Sequence, residues 1–153
     1  MRLWIDTEFN EFRGALISMA LVADDGREWY EALPCEQPRP WVAQNVMPFV
    51  GKEPLRNGIE LALSLCFWLR QFDSVHIVAD WPEDIAHFCN ALIVAPGQRV
   101  DTPPLTFEVR RDLPNTADIS KIPHNALEDA RSLRLTVMGP NVQVKPARRA
   151  GSA

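Results

Sequence analysis

Two carboxylates, Asp6 and Glu8, directly follow the apolar run Leu3-Trp4-Ile5 near the N-terminus. The apolar run predicts a buried strand, and side chains two residues apart on a strand point to the same face. Both carboxylates are therefore aimed at one point from the end of a rigid element. Like charges at close range raise each other's pKa unless a cation lies between them. The pair indicates a metal site at the end of a sheet.

Three N-terminal segments predict strands that pair in sequence order. These segments cover residues 2–6, 15–23 and 28–33, and the second and third are separated by Asp-Asp-Gly at 24–26. An Asp-Gly pair between apolar runs is a strong hairpin signal. We therefore expect strands 1–3 to form an antiparallel meander.

The rest of the chain alternates helices with strands. The expected helices cover 55–72, 82–92 and 125–137, and the expected strands 75–79 and 105–109. The first of these helices is apolar at many positions, including Ile59 and Leu63, and is predicted to be heavily buried. The proline-rich and glycine-containing stretches 34–54 and 93–104 are expected to be irregular. This order predicts an α/β domain with a mixed sheet.

The expected domain boundary lies near Gly139-Pro140, where a helix stop ends the last helix. We expect a single domain over 1–138 and a basic, flexible tail over 139–153 that could contact a polyanion.

Composition and charge narrow the cellular setting and the partners. A formal net charge of −4 does not predict a nucleic-acid partner from overall basicity, although Arg110-Arg111 and residues 145–149 are basic clusters. The three cysteines are scattered without a CxxC pair, so free thiols are expected. No apolar run reaches membrane-spanning length, and the first strand leaves no room for a signal peptide. We expect a cytoplasmic protein without a membrane partner.

Further ionisable residues lie where the predicted elements can carry chemistry. Asp129 lies beside the buried stripe of the last helix, and His124 lies on the loop that enters it. Asp84 opens the second helix, and Asp80 ends the strand before it. Each has an ordinary explanation when taken alone: a half-exposed helix acid, a loop histidine, or an N-terminal helix charge. The N-terminal carboxylate pair is harder to explain in that way.

Taken together, these residues resemble the three motifs of the DEDDh 3′–5′ exonucleases. The motifs are Asp-Thr-Glu-Phe at 6–9, an Asp that leads a helix at 84, and His-x4-Asp at 124–129. Either terminal motif alone is weak evidence, but both in this order with a suitable middle Asp are a strong signal. Other residues are similar to the small RNase AS-like (polyadenylate-specific) exoribonuclease branch, namely Leu16-Ile17-Ser18, Asp25-Gly26, Trp41 and Asn45-Val46-Met47-Pro48.

The resemblance covers nearly the whole chain and implies an RNase H-like (exonuclease) fold, with a mixed sheet, antiparallel strands 1–3 and helices on both faces. It implies a two-metal 3′–5′ exoribonuclease that acts on single-stranded or short RNA and releases nucleoside 5′-monophosphates, and it allows a homodimer. The cofactors would be two Mg²⁺ or Mn²⁺ ions, because carboxylates select hard cations. The implied catalytic residues are the general base His124 and the metal ligands Asp6, Glu8, Asp84 and Asp129.

Several assignments stay open from the sequence. The segment from Asp80 to Asp84 is one residue shorter than the family spacing, so the middle ligand is Asp84 or, alternatively, Asp80. Phe9 and Trp81 are expected to stack on substrate bases, or alternatively to pack in the core and in a loop. A single-stranded DNA exonuclease is an alternative to an exoribonuclease. A non-catalytic nucleic-acid-binding relative is disfavoured, because all five motif residues are present.

Overall fold

A five-stranded sheet forms the centre of the computed structural model, which describes residues 1–139 of the chain. Seven strands lie within the described residues, and five of them form this sheet. They are β1 (Arg2–Phe9), β2 (Leu16–Ala23), β3 (Glu28–Ala32), β4 (Val75–Ala79), β5 (Ile93–Ala95), β6 (Gln98–Arg99) and β7 (Leu105–Val109). The main sheet has the order β3-β2-β1-β4-β7, and β5 pairs with β6 in a separate hairpin. The predicted tail lies outside the described residues, apart from Gly139.

The predicted meander of the first three strands is confirmed. β1 pairs antiparallel with β2, and β2 pairs antiparallel with β3, whereas β4 is parallel to both β1 and β7. β1 is longer than expected, because its pairing with β2 continues through Glu8, which lies opposite Ser18. The two N-terminal carboxylates therefore lie within a paired strand and not just beyond its end.

Helices cover both faces of the sheet. They are α1 (Pro40–Asn45), α2 (Gly58–Leu69), α3 (Pro82–Ala91), α4 (Thr116–Ile119) and α5 (Ala126–Met138). Leu3 and Ile5 of β1 pack in the core with α2 and α3, whereas Trp4 packs with Leu133 of α5 on the opposite face. Successive strand residues point to opposite faces, so β1 contributes to both layers. The predicted mixed α/β architecture is confirmed.

The expectation that the first long helix is heavily buried is wrong for the side that carries Ile59 and Leu63. α2 begins at Gly58 because the side chain of Asn57 accepts hydrogen bonds from two backbone N–H groups of the first turn. Its inner residues, such as Leu61 and Leu65, are buried, but Ile59 and Leu63 are exposed. A helix that is apolar on every side gives no periodic signal to show which side meets the core.

Two stretches that were expected to be irregular contain regular structure. In 34–54, α1 begins at Pro40, which suits a first helical position, and a 3₁₀ turn covers Met47–Phe49. Val42 of α1 packs on Ile17 of β2, so a tertiary contact stabilises this short helix. In 93–104, β5 and β6 form their hairpin. No helix within residues 1–139 is long and apolar enough to cross a membrane.

Candidate metal centre

The carboxylates of Asp6 and Glu8 lie on the same face of β1, as the strand alternation predicts. Asp6 is 7% exposed and Glu8 is 9% exposed. The Trp4 side chain lies on the same face of β1, and α5 covers that face. Thr7 lies between them and points to the other face, towards α3.

Thr7 holds the carboxylate of Asp84 against the end of β1. Its backbone N–H donates to Asp84 Oδ1 at 3.1 Å, and its hydroxyl donates to the same oxygen at 2.6 Å. Asp84 stands in the first turn of α3, which Pro82 begins, and it is 2% exposed. Asp80 follows the end of β4 and is half-buried. The end of β1 therefore has an acidic residue from α3 on one side.

Asp129 approaches the same point from α5. Its Oδ2 accepts a hydrogen bond of 3.2 Å from the backbone N–H of His124. Its Oδ1 is buried and has no hydrogen-bond partner among the described residues. Asn125 caps α5 by accepting a hydrogen bond of 3.0 Å from the backbone N–H of Glu128. A buried carboxylate oxygen without a partner is costly, so this one calls for a positive ligand.

Two groups of carboxylates meet at Asp6. Asp6, Asp80 and Asp84 form one triad, and Asp6, Glu8 and Asp129 form the other. Within each triad, one oxygen from every residue lies within 4.8 Å of the others. Both groups could hold a metal ion, and Asp6 could contribute to both. The two alternatives for the middle ligand, Asp80 and Asp84, thus lie in the same triad.

Burial and mutual repulsion disfavour the charged form of these carboxylates. The pKa of Asp6 is raised well above its ordinary value, first by burial and then by the nearby charges of Asp84 and Glu8. Burial, followed by neighbouring carboxylates, raises the pKa of Glu8 to about 8. Burial is also the main reason that the pKa of Asp84 is raised to about 8 and that the pKa of Asp129 is raised. A divalent cation would remove this penalty, and carboxylate oxygens are the donors that hard cations select.

An aromatic contact positions His124 at the rim of the centre. The ring of Trp41 meets the His124 ring edge-on, with centroids 4.9 Å apart and an angle of 83° between the planes. His124 has a φ of 63°, a left-handed conformation that is uncommon outside glycine. The neighbouring Asn125 side chain donates to the carbonyl of Phe49 at 2.7 Å, which ties α5 to the segment after α1. His124 is thus held from two sides.

The acidic residues and His124 line a cavity of about 290 Å³. Phe9 and Trp81, the predicted base-stacking residues, also line it. The Phe9 ring packs on His87 with centroids 4.8 Å apart, which fits the alternative that it packs within the protein. Trp81 is 48% exposed, and the guanidinium of Arg111 lies 4.8 Å from its ring centroid. Of the two, Trp81 has the freer aromatic surface.

Three residues of the site were not expected from the sequence as parts of it. Thr7 could have been predicted, because the alternation that aligns its two neighbours also points it towards the second helix. Trp41 lies in a stretch that was expected to be irregular, so no pattern linked it to His124. Thr116 lines the cavity from α4, a four-residue helix with no periodic signal of its own.

The arrangement can bind hard divalent cations beside an ionisable imidazole and an open cavity. Every metal-ligating side chain in the two triads is a carboxylate, and such oxygen sites favour Mg²⁺, Mn²⁺ or Ca²⁺ over softer metals. A base at the rim adds the capacity for proton transfer. No model of a known protein family matches the chain, and a search of curated proteins finds no match to it.

Proposed function

We propose that this protein is a metal-dependent 3′–5′ exoribonuclease of the DEDDh type. One observation carries the proposal: two carboxylate triads, buried except for the half-buried Asp80, share Asp6, and His124 lies at the rim of the cavity that they line. Two neighbouring metal sites and a nearby proton acceptor suit the hydrolysis of a phosphodiester by a two-metal mechanism. The order of motifs along the chain, which resembles that family, supports the same reaction.

The sheet also supports the proposal. A mixed sheet, antiparallel strands 1–3 and helices on both faces are what the resemblance implies for an RNase H-like fold, and the parallel pairs of β4 are compatible with it. In such an arrangement the centre of the sheet brings β1 beside the end of β4, and the flanking helices supply the remaining acids. Asp84 and Asp129 come from opposite layers to the same point. We infer that the fold is RNase H-like.

The chain's own residues divide the work of metal binding. Asp6 would bind both ions; Glu8 and Asp129 would hold one, and Asp84, with Asp80 beside it, the other. Bound there, two Mg²⁺ or Mn²⁺ ions would supply charge stabilisation for the hydrolysis of a phosphodiester. Thr7 fixes the orientation of the Asp84 carboxylate through its two hydrogen bonds.

His124 would act as the general base. A nitrogen of its imidazole accepts the proton of the attacking water, and the backbone N–H of the same residue holds Asp129. Trp41 limits the rotation of the imidazole by its edge-on contact. His124, just before α5, would therefore have two roles: its side chain is the base, and its backbone N–H positions the candidate metal ligand Asp129.

The cavity favours a chain end as substrate. Its volume of about 290 Å³ lies at the lower limit of ordinary ligand sites, roughly 300–1,000 Å³, so it suits a terminal nucleotide better than a duplex. Trp81 offers an exposed ring for base stacking, which contributes about 1–3 kcal/mol per base. Arg111, packed on that ring, can contact a phosphate.

A side-by-side digestion tests the proposal. Purified protein is incubated with end-labelled poly(A), mixed-sequence RNA and single-stranded DNA of equal length, each with Mg²⁺, Mn²⁺ or a chelator. We expect RNA to shorten one nucleotide at a time from its 3′ end only when metal is present. Equal loss of DNA would favour the single-stranded DNA exonuclease, and binding without shortening would favour a non-catalytic nucleic-acid-binding protein. Preference among the RNAs measures any selectivity for adenylate.

A further inference from the structure

Two buried serine hydroxyls lie beside the acidic centre and make no hydrogen bond. Ser18 of β2 is 0% exposed, and Ser120 directly follows α4. The Oγ atoms of both residues are buried and have no partner within residues 1–139. A buried hydroxyl without a partner is costly, and native structures contain few of them. Each of these two hydroxyls therefore has an unused capacity to donate.

Ser18 lies directly across from Glu8 in the sheet. The two residues are paired in the register of β1 and β2. Paired residues on neighbouring strands point to the same face, with their Cβ atoms about 4.5–5.5 Å apart. The Ser18 hydroxyl is therefore on the face that carries the N-terminal carboxylates, within reach of the longer Glu8 side chain. Within the described residues, no donor lowers the pKa of the Glu8 carboxyl, which burial and neighbouring charges raise to about 8.

The neighbouring phenol of Tyr30 cannot supply this missing donor. Burial raises the pKa of Tyr30, the Ser18 hydroxyl opposes that effect, and the charges of Glu8 and Asp6 add to it. The phenol, the serine hydroxyl and the carboxylates are thus close neighbours. The Tyr30 hydroxyl, however, already donates to the carbonyl of Val50 at 2.6 Å. Ser18 keeps a proton to donate, whereas Tyr30 does not.

Ser120 stands in a similar relation to Asp129. Burial raises the pKa of the Asp129 carboxyl, and the Ser120 hydroxyl opposes this effect. The hydroxyl therefore lies close to the carboxylate, although no hydrogen bond of normal geometry joins them. The Oδ1 atom of Asp129 is also buried and without a partner in the described part of the chain. A buried donor and a buried acceptor are thus neighbours, and neither is in use.

Both serines lie beside ligands of the same candidate cation site. Glu8 and Asp129 belong, with Asp6, to one of the two triads, here called the β1–α5 triad. In the other triad a hydroxyl is already engaged, because Thr7 donates to Asp84 at 2.6 Å. An ionised carboxylate can accept about four hydrogen bonds, so a cation on one oxygen leaves room for donors that fix the orientation of the ligand.

We propose that Ser18 and Ser120 are positioning residues for a cation bound to the β1–α5 triad. The Ser18 hydroxyl then donates to the Glu8 carboxylate. The Ser120 hydroxyl donates to the Asp129 carboxylate in the same way. Neither serine binds the cation, and each acts by holding a ligand in the orientation that the cation needs. The proposal rests on the metal centre of the proposed nuclease, but not on its action on RNA.

Opposite effects with and without metal distinguish this role from ordinary packing. In chelator, Ser18→Ala and Ser120→Ala each remove a buried hydroxyl that has no partner, so the unfolding midpoint should stay the same or rise. With Mn²⁺, each variant should gain less stability than the wild type, because one ligand is held less firmly. A serine that only packs the interior would instead lower the midpoint by the same amount in both conditions.

Calorimetric titration of the full chain with Mn²⁺, with thermal unfolding in parallel, tests the proposal. Ser18→Ala and Ser120→Ala should each bind Mn²⁺ about tenfold more weakly than the wild type. Ser120→Thr keeps a hydroxyl and should recover most of the affinity. The matched control is Ser132→Ala, because this buried serine donates within α5 to the Glu128 carbonyl at 2.9 Å. It should bind Mn²⁺ as the wild type does.

The outcomes separate the proposal from the function on which it rests. Wild-type Mn²⁺ affinity in either alanine variant would overturn the role of that serine and leave the metal centre intact. A lower unfolding midpoint in chelator, with an unchanged gain from Mn²⁺, would assign the serine to packing. A wild-type protein that binds no Mn²⁺ would overturn the metal centre and this proposal together. Digestion of RNA tests the nuclease activity separately.

Discussion

The acidic centre and the outer face of α2 depart from ordinary burial in opposite ways. The centre buries ionisable side chains, and the helix exposes apolar ones. At the centre, the carboxylates of Asp84 and Asp129 are only 2% and 3% exposed, although charge belongs in water. On α2, the Phe67 ring is 80% exposed, although apolar surface belongs in a core. The buried carboxylates are stabilised either by a proton or by a cation. On α2, Ile59, Leu63 and Phe67 form an exposed apolar stripe at a spacing of four residues.

The two regions also differ in how the fold builds them. The candidate ligands of the centre come from β1, the segment after β4, α3 and α5, so the cluster forms only when both layers are in place. The stripe belongs to a single helix. Because the two regions share no residues, substitutions in one should leave the function of the other unchanged. The predictions below test that separation.

The largest effect is expected at Asp6. Asp6→Asn keeps the shape of the side chain but removes the charge that both triads share. Loss of metal stabilisation is worth several kcal/mol, so the exonuclease rate should fall by about a thousandfold or more. Calorimetry should show lost Mn²⁺ binding in the same variant. Phe67→Glu is the control and should keep the rate. Activity of Asp6→Asn within tenfold of the wild type would contradict the two-metal assignment.

The two candidates for the middle ligand should differ in the size of their effects. Asp84→Asn should lower the rate by about a hundredfold or more, because this buried carboxylate is fixed by Thr7. Asp80→Asn should lower it by about tenfold, which is typical of a residue that supports a ligand. The rates are compared at saturating Mn²⁺ on one RNA. If Asp80→Asn has the larger effect, Asp80 is the middle ligand and Asp84 supports it.

The sequence allowed the acidic centre to be predicted better than its rim. Strand alternation placed Asp6 and Glu8 together, and helical periodicity placed Asp129 beside a buried stripe. These are local rules, and they apply wherever the element forms. The rim depends on contacts between distant segments. Trp41 reaches His124 only because α1 packs on β2, and nothing in the sequence near either residue predicts that.

The burial of the outer face of α2 was predicted wrongly, although the helix itself was predicted correctly. Its residues were correctly expected to form a helix, but their many apolar positions suggested heavy burial that included Ile59 and Leu63. Periodicity identifies a core face only where a polar face contrasts with it. Ile59 and Leu63 therefore looked like core residues until the packing of α2 was known. The pattern therefore fails on the side of α2 that is exposed in the folded chain.

A smaller effect is expected at Trp41. Trp41→Ala should lower kcat by about tenfold with little change in KM, because a loosened imidazole is less often aligned with the water. Trp41→Phe keeps an aromatic ring and should recover most of the rate. Combining Trp41→Ala with His124→Ala should cost no more than His124→Ala alone. An additive loss in the double variant would show that Trp41 acts on the substrate and not through His124.

The smallest effect is a pH dependence of stability that belongs to the centre alone. In the folded protein the pKa of Glu8 is raised from its ordinary value of 4.5 to about 8. Between these values the folded state holds a proton that the unfolded state has released. Stability should therefore fall as the pH rises through this range when a chelator is present. Thermal unfolding should show a midpoint several degrees lower at pH 8 than at pH 5.

Two additions separate this pH effect from a general loss of stability. Mn²⁺ should raise the unfolding midpoint most at pH 8, since it binds the charged carboxylates and protons compete with it at lower pH. Glu8→Gln should reduce the dependence in chelator without abolishing it, because the pKa of Asp84 is also raised to about 8, whereas Glu53→Gln, at an exposed position, should keep it in full. Phe67→Glu should also keep it in full. A slope that vanished in Phe67→Glu would mean that α2 and the acidic centre are coupled, and that the two regions are not independent.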